Sequence, residues 1–558
     1  MKLFYLIRKY AFFRFLIFSF VIGGILVSIV FFSGYTLRAG TIAAVSPQVT
    51  VPGERVTIVG KNFGHKSIHS WLMLGNTKVK SDSCIEWTDT KIIFEAPDTL
   101  YEDMLYVVTK NKQGNAVMVV NQAVLPVNSK RAANENLPFI DSLEADSGNV
   151  GDLISIHGKN FGHTRNNSVV VFTGTQNTVY GQNAAKEAML TGSECSESDF
   201  DYEFWSDREL QIRVPDAADT GNVVIITDAG MSNPVVFRLK NKYGTKTYTD
   251  IRTYRLVSEV EISDFLAEAP NTFFLQIPFP QRTETQRTVA VSSIQPEPFV
   301  PAYQGASIYR FYNVDSGSKI QIRQEYSVSR SKVETNVNAS SLWRTEQNNP
   351  LLYAAYTESD DFLPADNPII KRICRQIIGS ETNPYNKARR IYTFLISEIK
   401  ARESSAADAG RSILTALERK TGGAYDLALL FCTLARAAGV PAVPTAGLLV
   451  DPQQKAVLHW WAEFYVNGFG WVPVDPALAS AVPFDTGIAD KSRWYFGNLD
   501  AYHIAFSRGY QTQAPMLPNG KTTEKVRSYA FRSIWEEATP NISGYSALWR
   551  LPKITSVY

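Results

Sequence analysis

Three patterns of apolar and polar positions follow one another along the chain. The first is an uncharged run from Phe15 to Ser33, preceded by Lys2, Arg8, Lys9 and Arg14. As a helix it would be about 28 Å long, close to the roughly 30 Å hydrocarbon core of a bilayer. It exceeds the apolar stretch of a secretory leader and lacks an A-x-A cleavage pattern, so an uncleaved anchor is expected and a removed leader is the rival. The basic residues ahead of it hold the N-terminus in the cytoplasm and place the chain beyond Tyr35 on the other side of the membrane.

The second pattern has period two. Up to about residue 345, short stretches alternate apolar and polar positions between Gly, Asn and Pro breaks, as strands do. Ile320, Ile322, Tyr326 and Val328, interleaved with Gln321, Arg323 and Glu325, are one such half-buried strand, and the prolines of Ile277-Pro278-Phe279-Pro280 predict an edge strand. The third pattern is helical. Asn367-Pro368 starts a helix with Ile369, Ile373 and Ile377 as its stripe and Gly379 as its stop, and Cys374 beside the stripe reads as core. Asn383-Pro384 starts the next, with Ala388, Ile391, Tyr392 and Leu395 on one face. A third, after Gly422-Gly423, carries Leu427, Leu430, Phe431, Leu434 and Ala438 and ends at Gly439. Two aromatic-rich strands around Asn467-Gly468-Phe469-Gly470 follow as a hairpin.

Inside the strand-rich part the chain repeats itself. VPGERVTIVGKNFGH at 51–65 returns as NVGDLISIHGKNFGH at 149–163, an offset of 98. Further on, Trp87-Thr88-Asp89 and Trp205-Ser206-Asp207 stand at an offset of 118, so the second copy holds a loop about twenty residues longer, around 176–201. These units resemble IPT/TIG domains, immunoglobulin-like sandwiches, which implies spacers or recognition modules without catalytic residues of their own. His65, His69 and His163 read as surface-turn histidines rather than metal ligands. The expected division is a cytoplasmic stub and transmembrane anchor (1–36), two IPT/TIG units (42–127 and 137–240) and a third β-sandwich (248–345). An α+β core (364–515) and a C-terminal extension packed on it (516–558) complete an α+β multidomain protein.

Composition removes several functions. Fifty-six basic residues against 54 acidic ones give no field for nucleic acid. Cys84, Cys195, Cys374 and Cys432 are scattered, with neither a disulfide framework nor zinc spacing, so no metal or cofactor is expected.

The hairpin carries the candidate chemistry. If its loop holds three or five residues, His459 falls opposite Asp475 on one face, with Trp461, Glu463 and Trp471 sharing it. A carboxylate beside an imidazole fixes its tautomer, as a general base requires. The nucleophile would sit at the start of the preceding helix, where dipole and free amides lower a thiol's pKa. These residues resemble the transglutaminase-like (papain-like) superfamily: Arg436-Ala437-Ala438-Gly439-Val440-Pro441-Ala442, then His459, Trp461 and Glu463, then Gly470, Trp471, Pro473, Asp475 and Pro476. The resemblance implies a cysteine at the helix start, and Ala424 stands there. Cys432, about 12 Å further along the helix and turned by about 80°, does not replace it, and Tyr425 is a poor nucleophile. The expectation is an inactive site in which His459 and Asp475 are a remnant dyad and Trp460, Trp461, Trp471 and Glu463 contact a protein, peptide or wall-polymer ligand. The alternative is an active cysteine amidase, peptidase or amine transferase on envelope substrates, through Cys432, Cys374 or another group. His503 reads as a packed or turn histidine.

Overall fold

The structure is a computed structural model that describes residues 39–558 other than 68, 76, 98–99, 101, 111, 122–136, 175–183, 343–348, 404–411 and 481–483. The expected anchor and the linker at 128–136 lie outside the described residues. No helix among the described residues is long and apolar enough to cross a membrane.

The two repeat units fold alike. In the first, strands Thr41–Ser46, Arg55–Lys61, Lys91–Glu95 and Cys84–Trp87 form one sheet in that order, facing a second sheet built on Glu102–Thr109 and Lys112–Asn121. The second unit repeats the order with Phe139–Leu143, Leu153–Lys159, Glu209–Arg213 and Tyr202–Trp205. The shared Gly-Lys-Asn-Phe-Gly motif has a physical cause. A Cβ on Gly60 would stand 2.1 Å from the Thr41 carbonyl and 2.3 Å from the Phe63 ring, and one on Gly158 would meet Phe139 and Phe161 likewise. Asn62 and Asn160 take a φ of 61°, the left-handed region that asparagine tolerates. They turn Phe63 and Phe161 into the sandwich cores, and the indoles of Trp87 and Trp205 donate to those phenylalanines' carbonyls.

A third sandwich is built on β1 (Gly244–Ala267) and β2 (Ile320–Val337), paired antiparallel along most of their length. It is not closed by residue 345. Strands Ile542–Trp549 and Lys553–Val557 pair with the free side of β1, and Glu536–Ala538 pairs with Thr272–Pro278 in the facing sheet. The C-terminal segment expected to pack on the core does so through Arg527 and Phe531 and also supplies strands to this sandwich, covering an edge that β1 would otherwise leave open. Thr272–Pro278 is correspondingly a central strand rather than an edge, and Pro278 is tolerated at its end.

The core follows the helical pattern. Helices α1 (Pro368–Ile378) and α2 (Pro384–Glu398) are capped by Asn367 and Asn383 as expected. On α1 the buried positions are Ile370 and Cys374, whereas Ile369 is exposed. Paired isoleucines satisfy either face, and the choice falls to α3 (Ala424–Ala437), whose Leu434 carbonyl the Cys374 thiol approaches at 3.5 Å. Beyond α3 come β3 (Ala442–Val450), β4 (Ala456–Val466), β5 (Gly470–Val474) and β6 (His503–Arg508), an antiparallel sheet ordered β5-β4-β3-β6. Every residue of β3 is buried because both faces are covered. Leu449 joins the helices, while Leu448, Val450, Ile504 and Phe506 pack on Tyr254, Leu256, Tyr326 and Val328 of the third sandwich.

Candidate functional site

Helix α3 opens at Gly423, whose amide donates to Asp426 Oδ2 at 2.9 Å. Ala424 is the first helical residue and is 7% exposed. Strand β4 packs against this helix, with the Trp460 ring edge-on to Tyr425 at 5.6 Å. The far end of α3 is held by Arg436, which donates through Nε to the Ala442 carbonyl (2.9 Å) and through Nη1 to that of Glu358 (2.8 Å).

His459 and Asp475 meet: His459 Nε2 lies 2.6 Å from Asp475 Oδ2, and both side chains are buried. The route differs from strict opposition. Val466 pairs with Gly470 and Ala462 with Val474, after which the strand ends and Asp475 caps the short helix α4 (Pro476–Ala479). Asp475 thus sits diagonally from His459, two positions short of facing it, where side chains of one face still reach each other. Its Oδ1 accepts from the amides of Ala477 (3.0 Å) and Leu478 (2.9 Å).

The structure adds residues that the sequence reading set aside. His503 Nε2 is 3.1 Å from Asp475 Oδ2, and His503 Nδ1 is 2.8 Å from Asp500 Oδ1. Asp500 Oδ2 accepts from the Tyr495 hydroxyl at 2.6 Å and Oδ1 from the Tyr502 amide at 2.9 Å. The Trp461 ring lies edge-on to His503 at 5.0 Å and stacks 6.4 Å from His459. His503 therefore belongs to the site, between two carboxylates. Flanked this way it donates from both nitrogens and is an imidazolium, while His459 meets the same Asp475 oxygen through Nε2.

Burial would lower the His503 pKa, but the Asp500 charge and hydrogen bonds to Asp475 and Asp500 outweigh it and raise it to about 8. Asp475 is driven well below the carboxylate range: burial opposes ionisation, and the charge and hydrogen bond of His459, then those of His503, overcome it. A histidine with a raised pKa stabilises the fold fully below its unfolded value of about 6.5, and that stability is lost as pH rises through the folded value. Urea unfolding should lose about 2 kcal/mol across this window, and His503→Gln should flatten the slope. An unchanged slope in that variant would assign it to other groups.

His459, Asp475 and His503 also form a trio of metal-ligating type, with donor atoms within 4.8 Å of one another. The 2.6 Å separation of His459 Nε2 and Asp475 Oδ2 is a hydrogen bond. An ion about 2.1 Å from each would see them at about 75°, far tighter than tetrahedral. The geometry is that of a proton-sharing chain.

The remaining expected site residues go elsewhere. Trp460 and Trp461, each 1% exposed, are core residues. Large flat rings beside a buried histidine are used to fill the interior, which corrects the expectation that they face a ligand. Trp471 is also buried and lies with Glu463 at the junction with the second repeat unit. There Arg508 donates through Nε to Glu463 Oε2 (2.8 Å) and through Nη1 to Asp199 Oδ1 (3.0 Å), its guanidinium 4.1 Å above the Trp471 ring. Asp216 accepts from the Trp471 amide at 3.1 Å and pairs with Lys246. Asn349 and Tyr356 donate to the carbonyls of Asp199 and Ser198. The insertion that distinguishes the second repeat from the first is the part that grips the core.

Among the described residues, the hydrogen-bond partner of the His459 ring is Asp475, and neither a thiol nor a hydroxyl bonds to it. Cys432 is completely buried and burial pushes its thiol well up, while Tyr425 is raised to about 12 by burial. The helix start is closed. Arg527 Nη2 donates to Asp426 Oδ1 at 2.9 Å with both side chains nearly inaccessible, and its guanidinium lies 4.1 Å over the Tyr425 ring. Phe531 packs beside Tyr425 at 6.2 Å and against Phe362 at 4.9 Å.

Residues 371–476 match the transglutaminase-like superfamily core, and residues 41–123 match the IPT/TIG domain. An uncharacterised protein of Haemophilus influenzae is 30% identical over 25% of this chain and 46% of its own length. The chain thus spans about half the length of that curated relative. Among solved structures, a candidate cysteine protease from Cytophaga hutchinsonii is 14% identical, with 56% of this chain and 91% of that one covered and a TM-score of 0.34. SGBP-B of a xyloglucan utilisation locus in Bacteroides uniformis is 12% identical over 53% of this chain and 99% of that one, with a TM-score of 0.15.

Proposed function

We propose, from the premise that residues 371–476 are a transglutaminase-like domain and residues 41–123 an IPT/TIG domain, that this chain is a non-catalytic member of that fold serving as a binding or assembly protein of the cell envelope. The anchor at Phe15–Ser33 holds it to the membrane, with the folded domains on the extracytoplasmic side. The observation that carries this reading is the pairing of a complete His459–Asp475 couple with Ala424 where attack would start. The closed helix start supports it independently. Free amides at a helix start are what would stabilise a thiolate or an oxyanion, and here Asp426 takes the Gly423 amide while Arg527 and Phe531 cover the approach.

The full chain should show no thiol-dependent amidase, peptidase or amine-transfer turnover above buffer. The A424C variant should stay inactive too, and its new thiol should react with iodoacetamide far more slowly than free cysteine, since access and thiolate character both govern that rate. Turnover by the unaltered chain that His459→Ala abolishes would sink the reading.

A further inference from the structure

One side of the third sandwich presents an arginine held by aromatic rings. Strand Ala306–Tyr312 pairs with Thr272–Pro278 on one flank and with the edge strand Val300–Tyr303 on the other. Arg310 and Tyr312, two residues apart on Ala306–Tyr312, point to one face. The guanidinium carbon of Arg310 lies 3.4 Å from the centre of the Phe299 ring and 4.7 Å from that of Tyr312. Both rings are open to solvent, Phe299 at 50% and Tyr312 at 60% exposure, and Tyr303 at the end of the edge strand is exposed as well.

Arginines elsewhere in the fold are tied down: Arg436, Arg508 and Arg532 each donate to carbonyls or to side-chain oxygens. Arg310 differs. Among the described residues no carbonyl, hydroxyl or carboxylate accepts from it, and none of its nitrogens is buried. Its donors face water while the rings hold the group in place. A guanidinium set in this way has little freedom left to lose on binding, and its open edge is a fork that takes an oxyanion through two parallel hydrogen bonds.

The surroundings narrow the partner. The edge strand is four residues long and contains Pro301, which has no N–H, so it does not recruit another strand. Residues 296–318 hold one basic residue, Arg310, against Glu297 and Asp315, which is not the cluster of bases that an anionic bilayer requires. The surface suits a ligand with a single carboxylate beside a flat face of C–H groups, since exposed rings supply apolar contact area next to the charge.

We propose that Arg310, Phe299 and Tyr312 bind a uronic-acid residue of an acidic polysaccharide, with its carboxylate on the Arg310 guanidinium and the C–H face of its sugar ring on Tyr312. The site uses no residue of the core, so it stands whether or not the core is catalytic.

The test is a ligand-observed NMR titration of the full-length protein in detergent, at low salt, with trigalacturonic acid and a hyaluronan tetrasaccharide. At least one should bind with a Kd of about 1 mM or below. Maltotriose, which has no carboxylate, and triglutamate, which has no sugar ring, should each bind at least about tenfold more weakly. Arg310→Gln should weaken the acidic sugar by about tenfold or more, and Arg310→Lys should do the same, because an ammonium keeps the charge without the fork. Tyr312→Ser, at the most exposed of the three positions, should also lose binding and decides the matter if the arginine variants disturb the fold. No binding of either acidic oligosaccharide, equal binding of maltotriose, equal binding of triglutamate (the mark of an acidic-peptide surface), or affinity retained in Arg310→Gln or Tyr312→Ser would overturn the proposal.

Discussion

Asp475→Ala should destabilise the core by about 4–6 kcal/mol, the largest effect expected of any single substitution in the site. Asp475 is completely buried and takes four donors: His459, His503 and the amides of Ala477 and Leu478. Removing the carboxylate leaves the buried Nε2 groups of His459 and His503 without their acceptor, at about 1–3 kcal/mol each and more where the group is charged, although His503 keeps Asp500. Losing the cap of α4 adds about 1 kcal/mol. Whole domains are stable by only about 5–15 kcal/mol, so the variant should populate unfolded molecules at physiological temperature. His459→Gln should cost much less, since Asp475 keeps three of its donors. Urea unfolding followed by tryptophan fluorescence measures both. A loss below about 1.5 kcal/mol for Asp475→Ala would mean that the network is not what holds these elements together.

Arg508→Met should cost about 3–5 kcal/mol and loosen the second repeat unit from the core. The guanidinium lies between two carboxylates from different domains, Glu463 and Asp199, and is itself largely buried. Burial raises the Asp199 pKa even though Arg508 opposes that shift. Without Arg508 two desolvated carboxylates would face each other. Lysine should not rescue the site, because a point charge cannot reach both partners as a planar fork does. The triple change Arg508→Met, Asp199→Asn and Glu463→Gln should recover part of the loss. Limited proteolysis at residues 193–201 reports the docking: faster cleavage in Arg508→Met with unchanged cleavage elsewhere is expected, and an unchanged rate there would show that the other contacts suffice.

What could be read in advance was what short range controls. The Asn-Pro starts of α1 and α2, the Gly439 stop of α3 and the hairpin around Asn467–Gly470 were legible because capping and turn chemistry are set by a few neighbouring residues. The His459–Asp475 pair was legible for the same reason, although counting across the loop gave a direct register where the structure has a diagonal one. His503 escaped because it enters the site through the pairing of β6 with β3, where it faces Leu449 across the sheet. No local periodicity signals that neighbour. Hydrophobicity also does not tell a tryptophan that meets a ligand from one that fills a core. Trp460 and Trp461 fill the core, whereas Trp471 lies under an arginine whose other partner is Asp199.

The way the third sandwich is closed bears on how the molecule is made. Strand β1, starting at Gly244, takes its outer partners from Ile542–Trp549 and Lys553–Val557, on the far side of the whole core in sequence. During synthesis it must wait, one side unpaired, while the whole core is translated and folds against its neighbour. Only then can those strands dock, so the third sandwich is completed after the core that separates its strands has been made, whereas the repeat units ahead of it, whose described strands come from their own segments, can form as they emerge.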